Sequence, residues 1–108
     1  MPHQSTEDRA AAHARRAVHS LEQMPGKIAT LIRRAPTCQT LAVAVDAMCA
    51  ARDRETIRRE TGFFLGTLQA TWEMMPHSAA GWSLDEWQEL FDYAGEVEAR
   101  CLIAVRED

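Results

Sequence analysis

A chain of 108 residues, 46% apolar and 26% charged, has the makeup of one folded domain with a modest core, not of a disordered chain. The net charge of −4 is too mild to define a partner. Its distribution says more: residues 1–54 carry eight Lys/Arg against five Asp/Glu, and residues 55–108 carry four against eleven, so the chain is basic first and acidic later. The start MPHQSTEDR has no apolar stretch of the kind a signal peptide needs. The longest apolar run, around Leu41–Val45, is far too short to cross a bilayer. Three cysteines are an odd set, and Cys38 and Cys49 on one helix would lie about 16 Å apart, beyond disulfide reach. Free thiols in a reducing cytoplasm are the natural reading.

In chain order, residues 1–4 read as a disordered tail. A first helix is expected from about Ser5 to Met24, with Ser5 and Asp8 as a capping box and a stripe of Ala10, Ala14, Ala17, Val18, Leu21 and Met24. Pro25-Gly26 stops it. A short helix over Lys27–Arg34 offers Ile28, Leu31 and Ile32 before Ala35-Pro36. The third, Thr37 to about Arg52, is apolar on most sides and so should be central. The fourth, about Arg54 to Met75, places Ile57, Thr61, Phe64, Leu68, Trp72 and Met75 on one line and Phe63, Thr67, Ala70 and Met74 on a second, which predicts cover over more than half its circumference. Pro76 and Gly81 bound a loop. The fifth has the clearest start: Ser83 as N-cap, Glu86 closing a capping box, and Trp82 with Trp87 at the hydrophobic-staple positions. The sum is an all-α compact bundle of four main helices plus one short connecting helix, a single domain over residues 1–108.

Chemical signatures are sparse. There is no glycine-rich phosphate loop, no Cys-x-x-Cys and no Gly-x-Ser-x-Gly. Helical di-iron sites use paired Glu-x-x-His motifs, whereas here only a reversed His19-x-x-Glu22 occurs. His13 and His19 point about 120° apart on the first helix, and His77 falls in the proline loop. No cofactor, metal or catalytic set is therefore expected.

Four features remain. The last helix carries Asp85, Glu89, Asp92 and Glu96 in a continuous acidic ridge. Like charges four residues apart cost a few tenths of a kcal/mol per pair, so a ridge without interleaved lysine suggests a basic partner surface, the plainer explanation being a solvated face. Gly62 and Gly66 each cost about 1 kcal/mol relative to Ala inside a helix. They imply close approach by a neighbouring helix, a second subunit or a ligand. Arg9, Arg15 and Arg16 make the outer face of the first helix basic, which could meet phosphates or merely be solvated. The helices flanking Pro36 have the layout of a helix-turn-helix, but the second is too apolar to read DNA. Finally, Glu98 interrupts the apolar stripe of the last helix and Arg52 that of the third. Two misplaced opposite charges suggest a buried ion pair, with Arg33 and Arg34 as substitute mates.

These features favour a small cytoplasmic, non-catalytic interaction protein of inhibitor or adaptor type, as found in bacteria, phages and plasmids. It would bind a protein with a basic surface through the ridge and form a homodimer that covers the two central helices. The rival readings are a nucleic-acid-binding regulator using the basic first helix and a small helical enzyme with a cavity around Arg52 and Glu98.

Overall fold

The described residues form five helices: α1 (Thr6–Gln23), α2 (Gly26–Arg33), α3 (Cys38–Ala50), α4 (Arg54–Met74) and α5 (Leu84–Arg106). The computed structural model describes residues 6–75 and 81–106, and no strand occurs among them. The expected tail, Ser5 of the first capping box, and Pro76 and His77 of the proline loop lie outside the described residues. The all-α bundle of long helices with one short connecting helix is what the periodicity predicts.

Local chemistry accounts for the helix starts. Before α4, Asp53 accepts the backbone N–H of Thr56 at 2.8 Å through one carboxylate oxygen and its hydroxyl at 2.8 Å through the other. These two bonds hold the Asp53 carboxyl below its ordinary pKa, the backbone bond first. Before α5 the capping box forms as expected: Glu86 N–H donates to Ser83 Oγ at 3.1 Å, and Ser83 N–H donates to Glu86 Oε1 at 2.8 Å. Two helix N–H groups that would otherwise lack partners are thereby satisfied.

The central helix is α3, which packs against all four others. Leu41, Ala42 and Met48 are fully buried, and around them lie Leu21 of α1, Ile32 of α2, Phe64 and Leu68 of α4, and Leu90 and Ala94 of α5. Each large apolar side chain so enclosed contributes about 1.5–3 kcal/mol. The buried threonine hydroxyls bond within the fold, whereas the buried Ser20 Oγ has no hydrogen-bond partner among the described residues. Thr61 donates to the Ile57 carbonyl at 2.8 Å and Thr71 to the Thr67 carbonyl at 2.6 Å, while the Thr37 and Thr71 hydroxyls meet across α3 and α4.

Three expectations are corrected. First, α3 ends at Ala50. Ala51 turns into extended backbone (φ −65°, ψ 143°), so Arg52 leaves the helical line that would have buried it. Second, α4 is not enclosed. It packs chiefly against α3 and α5, and its second apolar line faces outward, with Phe63, Ala70 and Met74 exposed. Third, α1 buries Ala17, Ser20 and Leu21, whereas Ala10, Ala14 and Val18 are exposed. An 18-residue helix spans about 27 Å against about 20 Å for the 13 residues of α3, so the first half of α1 overhangs its support. The result is a slab, 48 × 38 × 22 Å, about two helices thick.

Candidate functional site

The acids of α5 divide into two groups. Two of them anchor the helix to α2. Arg34 Nη1 donates to Glu86 Oε2 at 3.0 Å, and its second terminal nitrogen reaches both Glu86 Oε1, at 3.4 Å, and the Gly81 carbonyl. Lys27 Nζ meets Glu89 Oε1 at 2.8 Å. Nearby, the indole N–H of buried Trp82 donates to the Leu31 carbonyl at 2.8 Å, so the staple tryptophan also closes the end of α2. The Ser83 backbone N–H, and then Arg34, hold the Glu86 carboxyl below its usual range. The hydrogen bond that Lys27 donates to Glu89 raises the Lys27 ammonium pKa. Part of the basic-then-acidic pattern of the sequence is thus internal glue between the two halves of the chain.

The other ridge acids face solvent. Asp85, Asp92 and Glu96 are exposed along α5, and Asp92 accepts only a side-chain bond of known partner from Gln88 Nε2, at 3.1 Å. Of the four ridge residues, Glu89 is the one with a cation against it. The helix as a whole carries six acids against two arginines.

On its second half α5 borders an open groove of about 690 Å³, shared with the last turns of α1 and the end of α3. Its walls carry His19, Asp46, Arg52, Tyr93, Arg100, Cys49 and Cys101 over a floor that includes Val45 and Val97. Asp46 is already committed to Arg16, whose Nε and Nη2 both reach Oδ2 at 3.0 Å. Burial raises the Tyr93 phenol, with the Arg100 guanidinium beside it opposing the shift. Burial, with the Cys49 thiol next to it, pushes Cys101 up to about 11, and burial also raises Cys38. The three cysteines are unbridged. The approach of Cys49 to Cys101 is a feature the sequence reading missed, since it joins two helices with no spacing signal. Among the described residues no group of three or more His, Cys, Asp or Glu is placed to hold a metal ion.

The expected Arg52–Glu98 pair does not form. Arg52 is exposed at the groove rim, Glu98 is half-buried and not part of the groove wall, and no ion pair joins them. Nor does a substitute take the place of Arg52: Arg34 is held by Glu86, and Arg33 is exposed. The groove takes in Arg52 but not Glu98. The basic face of α1 keeps Arg9 and Arg15 exposed, while Arg16 is drawn down to Asp46. Gly62 and Gly66 are exposed, and a methyl group added to either would meet nothing within 4 Å, so no neighbouring helix of the same chain uses the close approach they permit.

No family model, curated protein or solved structure matches this chain. No helix among the described residues is long and apolar enough to cross a membrane.

Proposed function

We propose that this is a small non-catalytic interaction protein, of inhibitor or adaptor type, that binds a protein with a basic surface through the free acids of α5. The observation that carries the reading is the exposure of Asp85, Asp92 and Glu96 on a helix whose other ridge acid, Glu89, is already neutralised by Lys27. Exposed acids in line set association rate and partner choice more than fold stability. Unbridged cysteines support a reducing, cytoplasmic setting. Exposed Phe63 and Met74 support self-association as a homodimer.

Affinity capture from the native host tests the reading, with wild type compared against a triple Asp85→Lys, Asp92→Lys, Glu96→Lys variant. Glu89 is left intact because its reversal would also break the tie to Lys27. The expected outcome is a basic protein retained by wild type, lost from the variant, and released by salt at ionic strengths that shorten the Debye length below about 8 Å. Melting should stay within about 0.5 kcal/mol of wild type in stability. Retention of the same protein by the variant returns these residues to a solvated face.

A further inference from the structure

We infer that the uncovered face of α4 is a two-fold interface with a second copy of this chain, the two α4 helices running antiparallel across Gly66. This rests on the self-association proposed above and gives it a surface and a register. Along that face Arg59, Gly62, Phe63, Gly66, Gln69, Ala70, Glu73 and Met74 are all exposed, at the spacing of one helical stripe. Phe63 in the middle of α4 and Met74 at its end are 54% and 59% exposed, high for large apolar side chains. The two glycines weaken α4 and serve nothing inside the chain, because open space surrounds both.

The charges decide the occupant. In an isologous antiparallel pair, residues equidistant from the axis face one another. Centred on Gly66, the stripe becomes self-complementary. Arg59 falls opposite Glu73 of the second copy, and Glu73 opposite its Arg59, giving two identical ion pairs. Gly62 falls opposite Ala70, so small residues meet on both sides of the axis and the helices can approach to the short end of the usual 8–10 Å range. Phe63 then lies across the shallow strip formed by Gly66 and Ala70 of its partner. Gln69 Nε2 donates to Glu73 Oε1 at 3.1 Å and holds the carboxylate on this face before any partner arrives. A parallel pair would instead set Arg59 against Arg59 and Glu73 against Glu73.

Sedimentation equilibrium on the full chain at about ten to one hundred micromolar tests this, using Arg59→Glu, Glu73→Arg and their mixture. Wild type should show twice the chain mass. Each single reversal turns both ion pairs into like-charge contacts and should weaken the dimer by about a hundredfold or more. Mixing the two reversed chains in equal amounts should restore a dimer, since each then presents the charges the other lacks. Circular dichroism should show both reversed chains as helical as wild type, which guards against misfolding as a trivial cause. A wild-type chain that stays monomeric overturns the pairing and the self-association beneath it. A dimer untouched by both reversals places self-association elsewhere and overturns the α4 face alone. Two dissociated single variants that fail to recombine overturn the antiparallel register, as does uptake of a different protein on this face in place of a second copy.

Discussion

The two halves of α5 are put to different use. At its start, Trp82 just before the helix and the Glu86 and Glu89 carboxylates in its first half are bound by α2 and its C-cap residue through Leu31, Arg34 and Lys27. In the second half, α5 borders an open groove, and Ile103 is 57% exposed. The same acidic helix is thus a docking element at one end and a free surface at the other. What separates the ends in the fold is α2 with its C-cap residue, which bring Lys27 and Arg34 to the half that carries four acids and no cation, whereas the second half carries two acids and two arginines of its own. A charge pattern becomes structural only where the fold delivers the opposite charge to it.

The largest expected effect that would break this contrast comes from Trp82. Trp82→Ala should cost about 3–5 kcal/mol, because a buried indole and its hydrogen bond are both lost. In the open half, Ile103→Ala should change stability by less than about 0.5 kcal/mol. Urea titrations of the two variants compare them directly, and equal losses would mean that the two halves are packed alike.

A smaller effect should appear in acid. The folded state holds Glu86 below its ordinary pKa, so the unfolded chain takes up its proton first as pH falls. The stabilisation is complete above the unfolded value, near about 4.3, and disappears as pH drops through the folded value. The urea midpoint of wild type should therefore fall more steeply below about pH 5 than that of Glu86→Gln. Parallel curves for the two proteins would show that the capping box and Arg34 do not stabilise the charged form.

The smallest effect concerns the groove thiols. Cys49 is exposed, whereas Cys101 is half-buried with its thiol pushed up to about 11. Reaction requires the thiolate. Iodoacetamide near neutral pH should label Cys49 well before Cys101, as followed by peptide mass spectrometry. Equal labelling rates would mean that the second half of α5 opens more widely than its packing implies.

Much of the fold was legible in local chemistry. Ser83 and Glu86 mark the start of α5, Pro25-Gly26 separates α1 from α2, and the apolar circumference of α3 identifies it as central. The end of α3 was harder to read, since Ala51-Arg52 carries no stop of its own. The signal lay one residue on: Asp53 with Thr56 is an N-cap, so the preceding helix had to end before it, and Arg52 could not share the buried line. The two faces of α4 look equally apolar in periodicity. Which of them is covered depends on where α3 and α5 lie, which is long-range information. For the ridge, sequence placed four acids on one face but could not reveal that Lys27 would reach Glu89 and leave the others free.

That α5 splits its acids between docking and display can be measured without knowing the partner. Urea unfolding of Glu86→Lys/Glu89→Lys and of Asp92→Lys/Glu96→Lys should give different answers for the same change in net charge. The first pair removes both ties to α2 and reverses a carboxylate of the capping box, so its midpoint should drop clearly, whereas the second should unfold within error of wild type or slightly above it. Equal midpoints for the two variants, or a larger drop for the second, would contradict the division.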